Sequence, residues 1–279
     1  MSRLEITAEH SYLFRRVNTA PGVARVLTHR ESMTTQIRID RLLVERGLFE
    51  SRAKAQAAIA AGRVTADDVL ITKASQDVSA VAVLQAEPAH PYVSRGGVKL
   101  AAALDHFRGD PIGDPRGRVC LDVGASTGGF TEVLLARGAR RVYAVDVGRD
   151  QLHLRLRERP EIISIESTDI RRLDPVLLPE RPNFVTIDAS FISLRLLLPA
   201  VLELMQTPAD LLALIKPQFE AGRTQVKKGI VRDPRVHAAV CDDIASFVTS
   251  RGWHVRGIVA SPIAGGDGNR EFFIGAHHA

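Results

Sequence analysis

Cysteine is nearly absent from this chain of 279 residues: Cys120 and Cys241 are the only two. Two thiols cannot build a disulfide framework, and neither lies in zinc-ligand spacing, so the expected setting is a reducing cytoplasm. Long apolar runs are missing too. The longest, such as 196–204, break off well before the roughly 18 residues a membrane span needs, and no charged-then-apolar start resembles a signal peptide. The expectation therefore includes neither a membrane nor a metal ion. What remains is ordinary globular material, 45% hydrophobic and 25% charged, long enough for one large domain and one small one. A net charge of +5 and a pI of about 9.5 admit an anionic partner.

Residues 1–35 carry little hydrophobic period and read as a mobile extension. From 36 to 87 the pattern becomes compact. Arg41-Leu42-Leu43-Val44-Glu45-Arg46-Gly47 reads as a short amphipathic helix stopped by glycine. Ser51 is placed to cap a second helix over 52–61, ended by Gly62. A small hairpin around Ala66-Asp67-Asp68 and a strand over 81–84 follow. Arg38, Arg41, Arg46, Arg52, Lys54 and Arg63 concentrate on the helical part, although seven basic residues here meet seven acidic ones. Binding of a nucleic acid would have to come from sidedness. Two prolines within Glu87-Pro88-Ala89-His90-Pro91-Tyr92 then mark a stiff linker, taken as 88–95.

From 96 to 279 helical and strand-like blocks alternate. Strands are expected at 119–123, 142–145, 162–165, 184–187, 211–215, 254–260 and 272–274, with helices such as 130–137, 194–205 and 234–251 between most of them. That rhythm predicts a parallel α/β sheet covered on both faces, ending in an antiparallel pair.

The first strand runs into Asp122-Val123-Gly124-Ala125-Ser126-Thr127-Gly128-Gly129-Phe130. Glycines at a strand-to-helix turn let the backbone approach a ligand. The spacing lacks the G-x-G-x-x-G of dinucleotide sites and the P-loop pattern, which argues against an NAD enzyme. It fits a cofactor with no pyrophosphate, S-adenosylmethionine. Asp122 is then expected at the amino-acid end, Asp146 at the ribose hydroxyls and Asp169 at the adenine amino group, each near the end of successive strands.

Lys99, Asp188, Lys216 and Glu271 lie in four separate signatures, SRGGVKL, FVTIDASF, LIKPQFE and GNREFF. Singly each has a structural explanation: a surface lysine, a helix cap, a strand-edge ion pair. Asp188 and Lys216, however, directly follow two predicted strands at the ligand-binding edge of the sheet. A ribose hydroxyl is a poor nucleophile, and methyl transfer to it needs a base or a strongly orienting partner. Alignment alone can supply much of the rate.

Residues 36–87 resemble the small RNA-binding domain of ribosomal protein S-four, through Arg38-Ile39-Asp40-Arg41-Leu42-Leu43, Ser51-Arg52 and Ile59-Ala60-Ala61-Gly62-Arg63-Val64. The chain from about 36 onward resembles the TlyA (haemolysin A-like) family of ribosomal RNA 2′-O-methyltransferases, whose catalytic domain is FtsJ-like. The resemblance rests on Ser94–Leu100, Asp122–Phe130, Asp188–Leu194, Lys216–Glu220, Lys228–Asp233 and Gly268–Phe272. It implies a Rossmann-like methyltransferase domain behind an α+β RNA-binding domain, S-adenosylmethionine as donor, and a cytidine 2′-hydroxyl of ribosomal RNA or ribosomal subunits as acceptor. The competing readings are a ribosome-assembly factor that keeps the fold without catalysis and, from the family's older name, a cytolysin.

Overall fold

The computed structural model describes residues 35–279, so the extension expected over 1–35 lies outside the described residues except for Thr35. The chain divides after Glu87 into two compact units.

In the first unit, β1 (Gln36–Arg38) leads directly into α1 (Ile39–Glu45), and α2 (Arg52–Ala60) follows. Ser51 caps α2, its side chain accepting from the Lys54 amide. Ile39, Leu42 and Leu43 of α1 bury against Ala55, Ala58 and Ile59 of α2, with Val64, Ile71 and Val78 completing the core. β2 (Val64–Ala66) pairs with β3 (Val69–Leu70) on one side and β5 (Leu84–Ala86) on the other, while β4 (Asp77–Ser79) pairs with β1. The strand expected over 81–84 therefore lies about three residues too early. Val81 and Val83 are apolar but exposed, and the loop they occupy is fastened instead by the Arg46 guanidinium, which donates to the carbonyls of Ala80 and Ala82.

The second unit begins before the expected boundary. Val93 is buried against Leu152 and Leu156 and its amide donates to Glu132, and α3 already starts at Arg95 (Arg95–His106). The last residues assigned to a linker are thus packed, because Val93 supplies apolar surface that β-and-turn statistics around the prolines conceal.

Seven strands form one sheet: β6 (Val119–Val123), β7 (Arg141–Val145), β8 (Ile162–Ile165), β9 (Phe184–Ile187), β10 (Ala209–Ile215), β11 (His254–Ala260) and β12 (Phe272–His278). Their order is β11-β12-β10-β9-β6-β7-β8. β6 through β10 are mutually parallel; β12 inserts antiparallel between β10 and β11. The insertion of the final strand is not visible in strand counting, although the antiparallel ending is. Every residue of β6, β9 and β10 is buried, as expected of strands covered on both sides. Alternation splits them between two cores. Leu121, Val123, Val185 and Ile187 face α6 (Leu194–Leu204) and α8 (Pro234–Ser250), whereas Cys120, Phe184, Leu212 and Leu214 face α3 and α4 (Gly129–Ala136). Strand order reverses between β6 and β9, and a crevice opens there at the carboxyl ends of the strands.

Candidate active site

The glycine turn owes its shape to backbone that only glycine adopts cheaply. Gly124 has φ +81°, and a Cβ on it would lie 2.7 Å from the Asp188 carbonyl oxygen, so the turn after β6 and the end of β9 come within van der Waals contact. Gly129 opens α4 pressed against the start of α3, where a Cβ would collide with Ser94 and the Gly97 amide. Ser126, at φ +46°, turns its amide onto Asp146 Oδ2 at 2.8 Å.

Two adjoining cavities share Gly124, Ser126, Asp188, Ser190 and Phe191. The larger, about 480 Å³, is walled by Val147, Ile170, Ile192 and Leu197 and carries Asp146, Gln151, Thr168 and Asp169. Asp146 is held by two backbone amides, Ser126 on one oxygen and Gly148 (2.7 Å) on the other. Asp169 caps the turn that follows it and is gripped by the Arg171 guanidinium, whose hydrogen bonds hold its carboxyl down at about 2. Thr127 and Phe130 line the second cavity, and Gly128 sits behind them at φ +95° against Leu152 and Leu156.

Asp122 does not reach either cavity. It is fully buried, accepting from Thr131 Oγ1 at 2.6 Å and Thr186 Oγ1 at 3.1 Å. Alternation along β6 explains the difference from expectation: Asp122 shares the face of Cys120, under α4, rather than the rim. Burial pushes its carboxyl up to about 7, with the two hydroxyls pulling part of the way back.

The second cavity, about 330 Å³, brings all four separated signatures together: Lys99, Asp188, Lys216 and Glu271 line it with Ser94, Ser190, Gln218, Phe219 and Asp267. They form two ion pairs. Lys99 Nζ lies 2.5 Å from Glu271 Oε2, and Lys216 Nζ lies 2.6 Å from Asp188 Oδ1 and donates to Ser190 Oγ at 2.8 Å. The Lys216–Asp188 contact is close but not aligned as a hydrogen bond, which leaves Asp188 Oδ1 buried without a directed donor. Both lysines are 7% exposed, so Lys99 is not the surface lysine its helical position allows.

Sequence reasoning passed over several neighbours. Ser190 and Phe191 stand beside Asp188 in the motif already singled out. Phe191 holds φ +65°, is 89% exposed and lies 5.2 Å from the Phe219 ring; an apolar ring kept in solvent on strained backbone is the signal that sequence cannot display. Glu220 joins two of the signatures by accepting from Ser193 Oγ and the Leu194 amide, and burial raises its carboxyl. Asn269 is 1% exposed and binds both the Val231 amide and the Gly229 carbonyl.

In the first unit, five of the six basic candidates carry an acidic partner: Arg38 and Arg52 on Asp40, Arg41 on Glu45, Lys54 on Glu50 and Arg63 on Glu87. Asp40 is fully buried, and Arg38, Arg52 and Gln56 hold its carboxyl below the usual range. Arg46 is committed to the loop carbonyls described above. Among the described residues no helix is long and apolar enough to cross a membrane, and no group of three or more His, Cys, Asp or Glu side chains is placed to hold a metal.

Residues 92–278 match the FtsJ-like methyltransferase family, and residues 37–82 match the S4 domain. YqxC of Bacillus subtilis is 46% identical over 244 residues, covering 86% of this chain and 85% of its own. The 16S/23S rRNA (cytidine-2′-O)-methyltransferase TlyA of Mycobacterium tuberculosis is 43% identical over 246 residues, covering 87% and 90%. A solved structure from Streptococcus thermophilus that carries a haemolysin name superposes with TM-score 0.68 at 39% identity, over 88% of this chain and 90% of that one. With an S4 domain ahead of an FtsJ-like methyltransferase domain and relatives this close along most of its length, the chain belongs to the TlyA (haemolysin A-like) family of methyltransferases.

Proposed function

We propose that this protein transfers the methyl group of S-adenosylmethionine to the ribose 2′-hydroxyl of a cytidine in ribosomal RNA, on the large subunit and, by the same chemistry, on the small one. The observation that carries the reading is the meeting of the Lys99–Glu271 and Lys216–Asp188 pairs in one cavity that opens onto the glycine turn. The donor's ordinary partners are present. A carboxylate fixed by two amides, Asp146, suits a vicinal diol; the apolar walls Val147, Ile170 and Ile192 suit a flat base, with Asp169 beside them; Gly124 admits close approach. Bound there, S-adenosylmethionine supplies an electrophilic methyl on a sulfonium. The relative named as an rRNA (cytidine-2′-O)-methyltransferase supports the acceptor.

Lys216 works as an aligning donor. An ammonium has three N–H bonds; Ser190 takes one, Asp188 balances the charge at 2.6 Å without taking a directed bond, and a remaining N–H can hold an acceptor oxygen in the line of transfer. The hydroxyl sheds its proton late, when the partly methylated oxygen has become acidic, and Asp188 is the nearest carboxylate. Lys99 and Glu271 fix the opposite wall. The Phe191 ring offers a stacking face to an unstacked base at the mouth of the cleft. The described part of the first unit binds RNA through Arg38, Arg41, Arg52, Lys54 and Arg63: the exposed pairs of Arg41, Lys54 and Arg63 contribute only about 0–1 kcal/mol, so phosphates can displace their acids, while Arg38 and Arg52 stay on the buried Asp40 and offer their half-exposed guanidinium edges. The two buried thiols suit a cytoplasmic protein.

Lys216→Ala is expected to bind S-adenosylmethionine with unchanged affinity by calorimetry while methyl transfer to unmethylated ribosomal subunits falls by about 10²–10⁴. Full activity in that variant would overturn the assignment.

A further inference from the structure

Most described arginines and lysines have a partner, and the ones without a hydrogen bond or ion pair are not scattered evenly. The side chains of Lys227, Lys228, Arg232, Arg235 and Arg270 are all exposed and unpartnered, and they fall on the loop 226–233, on the first turn of α8 and on the turn leading into β12. Arg95, also unpartnered, opens α3 with its guanidinium beside Gly266 of that turn. Two acids lie nearby. Asp233 is occupied in capping α8 through the Arg235 amide, and Asp267 faces the cleft.

This loop is built rather than loose. Lys227 and Ile230 exchange both backbone hydrogen bonds at 3.0 Å, with Lys228 at φ +51° and Gly229 at φ +78° between them. That is the two-residue hairpin turn that requires two left-handed residues, and it costs strain to put a lysine at its tip. Asn269 staples the turn from below: its Nδ2 donates to Gly229 O at 2.8 Å and its Oδ1 accepts from Val231 N at 3.0 Å. The buried His237 ring holds the Val231 carbonyl at 3.0 Å. Asn269 stands two residues from Glu271 in the catalytic cavity, so the cations have a fixed place at the cleft's rim.

We propose that this rim, Lys227, Lys228, Arg232 and Arg270, is a second RNA-docking surface that grips backbone phosphates flanking the nucleotide in the cleft. The proposal rests on the RNA methyltransferase reading above. A fixed row of unpaired cations meets what polyanion binding asks for, since each phosphate neutralised releases condensed counterions, and contacts of this kind set register rather than read sequence. Stable seating on an anionic membrane needs apolar anchoring beside the cations, since a basic patch alone contributes only about 1 kcal/mol per residue; none of the exposed large hydrophobic residues lies between 222 and 236 or between 261 and 271.

The test uses the full chain with Lys227→Gln, Lys228→Asn and Arg232→Gln combined; asparagine is chosen because it tolerates the left-handed backbone at 228. Affinity for unmethylated ribosomal subunits is measured across a salt series, and methyl transfer is measured at saturating RNA. The expected result is RNA binding weakened about tenfold or more, with the plot of log K against log salt shallower by about 2 for three lost phosphate contacts. The maximal rate and the affinity for S-adenosylmethionine stay unchanged. Lys227→Arg/Lys228→Arg keeps the wild-type slope, which separates charge from loop geometry. Arg116→Gln, which removes an exposed cation without a side-chain partner in the turn before β6, also keeps it, which separates the rim from net charge. An unaltered slope in the triple variant overturns the proposal, as does a variant that loses binding only to phosphatidylserine vesicles. Failure of the wild-type protein to bind or methylate ribosomal RNA at all would instead sink the parent reading.

Discussion

Removing Lys99 and Glu271 singly and together separates what their ion pair does for the fold from what it does for chemistry. The two side chains are 9% and 3% exposed and meet at 2.5 Å. Lys99→Met keeps the stem and deletes the ammonium, leaving the Glu271 carboxylate desolvated over Gly265, whose missing Cβ makes room for it. Stranding one partner of a buried pair costs about 3–5 kcal/mol. The neighbouring cleft admits some water, so the lower end, about 3 kcal/mol, is expected, or roughly 6–12 °C in Tm for a unit of this size. Glu271→Leu strands the ammonium with a similar loss. The double variant Lys99→Met/Glu271→Leu carries no unpaired charge and is expected to return to within about 1 kcal/mol of wild type. Methyl transfer is not expected to return with it. Urea unfolding gives the stability of all four proteins, and single-turnover transfer to ribosomal subunits, well below the lowest midpoint, gives the chemistry. A double variant that regains transfer would show that the pair is only scaffold. Single variants as stable as wild type would show that the buried pair does not exist in solution.

Two further outcomes follow from the glycine turn. Gly124→Ala must hold a Cβ at φ +81° and 2.7 Å from the Asp188 carbonyl oxygen; it is expected to lose about 1–3 kcal/mol and to bind S-adenosylmethionine more weakly, both readable by calorimetry, and wild-type affinity would mean that the close approach has no part in the site. Asp122, its carboxyl raised by burial from 3.8 to about 7, binds a proton in the folded chain that the unfolded chain has released between those values. Its contribution is therefore fully present below about pH 4 and is lost as pH rises through 7, a span of up to about 4 kcal/mol. Asp122→Asn removes that span, so its stability relative to wild type should rise from pH 5 to pH 8; parallel pH profiles for the two proteins would refute the assignment.

Period and punctuation carried most of the fold into the sequence, and the places where they failed have physical causes. Ser51, Gly62 and the glycines after β6 are residues whose backbone or capping chemistry is local, so their positions could be read directly. The order of the last strands could not, because β12 pairs with β10 across the whole intervening stretch 216–271 and nothing local records which edge it enters. The strand at Leu84–Ala86 was displaced by Val81 and Val83, whose β propensity lost to a loop held by Arg46. At the site, Lys99, Asp188, Lys216 and Glu271 were legible because each sits in a run of unusual residues, and the structure brings all four to one cavity. Asp122 was misdirected by a single step of alternation. It leads into the same turn as Gly124, Gly128 and Gly129, yet a strand sends successive side chains to opposite faces. The carboxylate two residues before Gly124 therefore points under α4 to Thr131 and Thr186, while Asp146, one strand over and one residue past its strand's end, reaches the rim. An acid inside a strand and an acid just beyond one look alike in a motif. Only the second is free of the pleat, and that distinction selects which of the motif's carboxylates can meet a ligand.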